Sequence, residues 1–265
     1  IAFIKVRYTT PIYKVSGSLF INKEGDNKGS GESLENMFMF SNNLNLKNEL
    51  EILKSKPVVS RVVNNLGLQV SYFNKGNVRS SNVYGASPVS LEIVSLKDSA
   101  ASFTLEIEAS EKDFRFANTN TAIEYGKIFE TRAGVFRISR TPAVLLDNYE
   151  SNIFLISHRS LQNAATELAA ALTTEQLIDQ ATILNLSIET DNIAFGKDVI
   201  NALMTEYGKM NIEDKRRISQ VTMQFIDERL DTIKYELGGV ESGILKYREK
   251  NQVIDLNQQS AQQFE

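Results

Sequence analysis

The sequence predicts an α+β protein: a mixed or antiparallel sheet base with flanking helices over residues 1–190, then a long projecting C-terminal helix over 191–265. Three observations carry this. Tyr13, Val15, Gly17, Leu19 and Ile21 fall on one face of a period-two pattern, that of a strand. Between residues 68 and 140 short apolar runs recur too closely for the dozen or more residues that a parallel crossover needs, so they favour antiparallel hairpins. From Asp191 onward the chain has no proline, and its apolar residues fall into a helical period.

In chain order, the strand at Tyr13–Ile21 leads into Asn22–Glu32, a polar stretch with three glycines that reads as a loop. Leu46, Leu50 and Leu53 recur at helical spacing and stop near Ser55-Lys56. Pro57 suits the first turn of a second helix, whose stripe is Val59, Val62, Val63 and Leu66, with Gly67 placed as a left-handed stop. Strands are predicted at Leu68–Phe73, around Val89, Leu91 and Ile93, and around Phe103, Leu105 and Ile107. Further runs lie at Phe114–Phe116, Thr121–Tyr125, Val135–Ile138 and Asn152–Ser157, punctuated by Gly126-Lys127 and Ala133-Gly134. The alanine-rich Leu161–Leu172 reads as a helix and Ala181–Glu189 as a strand. Asp191 is a plausible N-cap for the last helix and Asn211 a candidate kink. Along that helix Ile226, Leu230, Ile233, Leu237, Val240, Ile244 and Tyr247, then Asn251, Ile254 and Gln258, alternate at spacings of four and three. That is a heptad seam, which needs a partner helix. Gly238, Gly239 and Gly243 interrupt it, each at about 1 kcal/mol relative to alanine.

Composition narrows the function. The 265 residues are 42% hydrophobic and 23% charged, ordinary for a folded domain, and the net charge of −4 lacks the basic excess of a dedicated nucleic-acid binder. There is no cysteine, which removes disulfides, thiolate metal sites and thiol nucleophiles. The chain starts at Ile1, not methionine, and is expected to be cut from a longer one. Ile1-Ala2-Phe3-Ile4 followed by Lys5, Arg7 and Tyr8 resembles a membrane helix meeting the interface, and reads equally as a terminal strand.

Catalytic chemistry is sparse. The one histidine, His158, sits beside Arg159 and Ser160 at a helix start and reads as structural. The glycines at 25–31 lack phosphate-loop spacing, and no GxxxxGK[ST] occurs. Asp26 and Glu32 do not fit a calcium loop. Phe103, Phe114, Phe116 and Tyr125 could stack on sugars, but aromatic residues in strands are ordinarily core. No catalytic, cofactor or metal residues are therefore assigned. Glu213-Asp214-Lys215-Arg216-Arg217 reads as a solvated face, with Lys215, Arg216 and Arg217 as contacts to a subunit or acidic polymer in the functional reading.

The order of these pieces resembles the periplasmic domain of the polysaccharide co-polymerase, or chain-length determinant, family. Tyr13-Lys14-Val15-Ser16-Gly17-Ser18-Leu19-Phe20-Ile21 resembles its opening strand. Asn48-Glu49-Leu50-Glu51-Ile52-Leu53-Lys54-Ser55, with Val62-Val63 and Leu66-Gly67-Leu68, resembles its helical pair. Asn201-Ala202-Leu203 with Tyr207, then Phe225-Ile226-Asp227-Glu228-Arg229-Leu230, resembles the start of its projecting helix. The β-rich insert at 89–140 is similar to the branch of transmembrane tyrosine autokinases. Asn192 departs from the pattern, standing where the family often has proline.

The resemblance implies a scaffold anchored in the bacterial inner membrane through flanking helices outside this chain. It would form a ring-like homo-oligomer and work with a polysaccharide polymerase, the polysaccharide itself and an outer-membrane export channel. It implies no enzymatic role for this piece, no nucleic-acid partner, and a cytosolic kinase domain further along the polypeptide. Membrane spans would hold the ring together, so the excised chain is expected to be largely monomeric at micromolar concentration. The alternative is a membrane-tethered periplasmic adaptor of an export pump, which should carry a lipoyl-like β unit split by its helical hairpin.

Overall fold

A computed structural model describes residues 11–20, 46–76, 79–117, 119, 121–176 and 183–250. The predicted loop at Asn22–Glu32, the apolar start and the seam residues beyond 250 lie outside the described residues. Contacts divide the chain into two units, Ile1–Gly208 and Lys209–Glu265.

The first unit is built on antiparallel pairing throughout its described strands. Strand β1 (Tyr13–Phe20) leads to helices α1 (Leu46–Leu53) and α2 (Lys56–Leu66). Then come β2 (Val70–Lys75), β3 (Ser80–Asn82), β4 (Val89–Leu96), β5 (Phe103–Ala109), β6 (Asp113–Phe116), β7 (Ala122–Glu124), β8 (Ile128–Glu130) and β9 (Gly134–Arg140). Last are β10 (Ile153–His158), α3 (Leu161–Ala171), β11 (Leu172–Gln176), β12 (Ile183–Thr190) and α4, Ile193–Lys250. The strands form sheets ordered β1-β12-β11, β3-β2-β10-β5-β6-β7 and β4-β9-β8.

Local chemistry explains the helix ends. Pro57 sits in the first turn of α2, where its missing N–H costs nothing. Gly67 adopts φ 64, and Leu68 N donates to Val63 O at 2.9 Å, closing the helix in the left-handed manner its sequence position suggests. Ser160 caps α3 by accepting from Asn163 N at 3.3 Å. The buried face of α2 is Val58, Val59, Val62 and Val63, and α2 packs against α3.

The core is aromatic. Phe114, Phe136 and Phe154 are fully buried, and one cluster joins Val89, Phe136 and Ile138 of one sheet to Ile107, Phe114, Phe154 and Ile156 of the other. Ring pairs at 5.0–6.1 Å link Phe103 to Phe136, Phe114 to Phe129 and Phe129 to Phe136. Offset and edge contacts of this kind add to simple area burial.

Pairing departs from a chain of hairpins. The local pairs β2–β3, β5–β6–β7, β8–β9 and β11–β12 exist, but β4 pairs with β9, β10 inserts between β2 and β5, and β1 pairs with β12. Tyr13 faces Thr190 and Phe20 faces Ile183. Strand spacing fixes direction, not partner, because ladder hydrogen bonds are blind to side chains. Three strands went unpredicted. β3 is Ser-Ser-Asn, β8 has three residues, and β11 follows α3 with no turn residue between them. The residues of β3 have little strand preference, whereas β8 and β11 carry strand-favouring Ile, Phe and Thr in runs too short or too poorly bounded to show a period.

Candidate interaction surface

Helix α4 begins at a designed-in joint of small and polar residues. Asn192, not Asp191, is the N-cap: its side-chain oxygen accepts from Phe195 N at 3.1 Å. The same amide nitrogen donates to Asn82 O at 3.5 Å and Tyr84 O at 3.4 Å, tying the helix start to the β3–β4 loop. Asp191 lacks that position because the chain has not yet turned: Asn192 N still bonds the Thr190 hydroxyl. Tyr84 donates its hydroxyl to Asp198 at 3.0 Å, and its ring meets Phe195 edge-on at 5.3 Å. Burial and Asp198 together hold the Tyr84 phenol up at about 12.

Over its first turns α4 lies against β1. A Cβ on Gly17 would stand 2.5 Å from Met204 Cε, and one on Gly196 would stand 2.7 Å from Val15 Cγ2. Val199, Ile200, Leu203 and Tyr207 are buried there, and Tyr207 donates to Glu49 at 2.5 Å. The helical stripe read from the sequence is thus a core face through Tyr207.

In the second unit the helix continues unbroken through Asn211 to Lys250, and every residue from Met223 to Lys250 is exposed. Ile226, Leu230, Ile233, Leu237, Val240, Ile244 and Tyr247 share one face, with exposures from 45% at Ile226 to 67% at Tyr247. At 1.5 Å per residue, residues 209–250 extend roughly 60 Å. Soluble proteins seldom leave such a contiguous apolar stripe open, so it is the candidate functional surface. Gly238, Gly239 and Gly243 have open space where a Cβ would stand.

Lys215, Arg216 and Arg217 lie on the same helix and are all exposed, but successive residues are about 100° apart, so the three do not converge on one ligand. Arg217 pairs with Asp214 at 3.0 Å. His158 is buried against Phe103, stacked at 4.9 Å, with Nδ1 at 3.3 Å from Ala101 O. Burial pushes its pKa below the ordinary 6.5. Phe103, Phe114, Phe116 and Tyr125 belong to the core or pack on it.

Sequence reasoning missed a cleft of about 490 Å³ walled by Leu66, Leu68, Tyr72, Tyr84, Leu168 and Phe195, with Arg159 and Glu167 at its rim. Arg159 is ion-paired to Glu167, and the Tyr84 hydroxyl donates to Asp198, so these polar groups satisfy one another. Its walls come from segments more than a hundred residues apart, and no local motif marks them. Among the described residues no three His, Asp or Glu side chains are grouped to hold a metal, and no helix is long and apolar enough to cross a membrane.

No family model matches the chain. It is similar over 98% of its length to tyrosine-protein kinase ptk of Acinetobacter johnsonii, at 24% identity. It is similar over 97% of its length to a putative tyrosine-protein kinase in the cps region of Klebsiella pneumoniae, at 21% identity. The chain spans 38% and 36% of those two proteins. Both names agree with the tyrosine-autokinase branch that the sequence resembles.

Proposed function

We propose that this chain is the periplasmic scaffold of an inner-membrane protein of the polysaccharide co-polymerase kind, acting in the chain-length control and export of a surface polysaccharide. The observation that carries the reading is the second unit's helix with its apolar stripe open. A strut of this length must be covered by another helix, either a returning segment of the same polypeptide or a neighbouring subunit. The relative in a cps region supports a capsule context. Relatives named as kinases support a catalytic domain elsewhere in the full polypeptide, with this chain supplying form, not phosphoryl transfer. That reading also takes the protein to act as an oligomer, alongside a polymerase and an export channel.

Two experiments test it. Replacing Leu230, Ile233 and Leu237 by Asp in the full-length protein leaves the first unit folded and collapses the length distribution of the cell-surface polymer on a sizing gel. An unchanged distribution removes the proposal. The chain alone, incubated with radiolabelled ATP and magnesium, takes up no label; stoichiometric tyrosine labelling would make it catalytic.

A further inference from the structure

The cleft in the first unit keeps apolar surface uncovered. Its wall joins the end of α2, the edge of β2, the β3–β4 loop, α3 and the first turn of α4. Leu66, Leu68, Tyr72, Phe73, Tyr84 and Phe195 are only half-buried there, whereas Phe114, Phe136 and Phe154 of the core are fully buried. A contiguous apolar wall is therefore left against water in a concavity of about 490 Å³, the size of a small-molecule pocket and too small for a strand or helix.

Six polar side chains of the lining are already spent on the protein. The Tyr72 hydroxyl accepts from Leu91 N at 2.9 Å, and the Tyr84 hydroxyl donates to Asp198 at 3.0 Å. The Asn82 side-chain oxygen accepts from Tyr84 N at 3.0 Å, and the Ser87 hydroxyl donates to Val89 O at 2.6 Å. Arg159 is held by Glu167, and Glu189 brings a second carboxylate to the lining, so its charges favour no anion. A sugar or a phosphate would have to break these bonds to be read. Hydrocarbon needs none of them, because its gain is the apolar area it covers. The hydroxyls of Ser71, Ser90 and Thr141, also in the lining, suit an uncharged head.

We infer that this cleft is a binding site for the hydrocarbon chain of an uncharged, single-chain amphiphile. Tyr84 and Phe195 both wall the cleft and hold the start of α4, so the bound chain bears directly on the mounting of that helix. The inference rests on the cleft alone. It neither needs the polysaccharide reading nor uses the stripe on the second unit.

The chain has no tryptophan, so Phe195→Trp places a single one in the cleft wall. Primary alcohols brominated at the far end of the chain quench its emission on contact. The expected quenching saturates, with a Kd on the order of 10–100 µM for decanol. Affinity rises about fourfold for each methylene from hexanol to decanol, the gain of taking that group out of water. Decanoate binds no tighter than decanol. In the same background Ala171→Phe narrows the cleft from an exposed position on α3, and Leu68→Asn makes its wall polar. Each weakens binding about tenfold while the far-UV spectrum stays unchanged. Quenching indifferent to both changes puts the chains elsewhere, the α4 stripe included, and overturns the inference. Affinity flat in chain length does the same, as does maltohexaose shifting the emission where the alcohols do not. Decanoate binding about tenfold tighter than decanol would make the cleft an anion site and equally removes the inference.

Discussion

Gly17 and Gly196 mark close approaches between β1 and the first turns of α4: the space a Cβ would need is held by Met204 and Ile200 at Gly17 and by Val15 and Thr190 at Gly196. Valine at position 196 is therefore expected to destabilise the first unit by about 1–3 kcal/mol through overpacking, measured as a lowered urea midpoint with unchanged slope. Asn192→Ala removes a cap and leaves Asn82 and Tyr84 carbonyls without the amide donor, for an expected loss of about 1–2 kcal/mol. His158 sets a pH dependence. Its folded pKa lies below 6.5, so the unfolded chain binds the proton more readily. Its contribution is complete above about pH 6.5 and is lost as pH falls towards the folded value; His158→Gln flattens that part of the stability profile. His158 was legible in the sequence as structural, from its isolation. The Asn192 cap was not, because choosing between adjacent Asp and Asn depends on where the backbone turns.

Among the elements, those with strong periodicity were readable: β1, α2, α3 and α4 stand where alternation, the Pro57 and Gly67 punctuation and the heptad place them. The strands β3, β8 and β11 were not: Ser-Ser-Asn of β3 has little preference, Ile-Phe-Glu of β8 is too short for a period to show, and β11 follows α3 with no turn residue to mark its start. Helix α4 offers a direct test of intrinsic propensity. With open space at Gly238 and Gly239, alanine at both should stabilise the second unit's helix by about 2 kcal/mol, seen as a steeper and later loss of ellipticity at 222 nm. A loss of helicity on that change would show that the glycines serve a bend.

For the chain as a whole, the two units differ in what holds them. The first has a phenylalanine-rich core shared by two sheets. The described residues of the second, 209–250, are helix with apolar side chains in water, and isolated helices are marginal. On heating at micromolar concentration, far-UV helical signal should fall before the near-UV band of the packed aromatic residues. A single coincident transition would mean that the helix melts only with the core.

By itself the sequence determined the α+β class, the antiparallel sense of the strands, the long terminal helix and the stripe along it. All of these follow from local periodicity and from the spacing of turns. The tertiary structure decided which strands meet, where α4 stops being core and becomes exposed stripe, and that a cleft opens between Leu66 and Phe195. The reason is physical: a period reports which face of an element is apolar. What covers that face is chosen by packing between residues far apart in the chain.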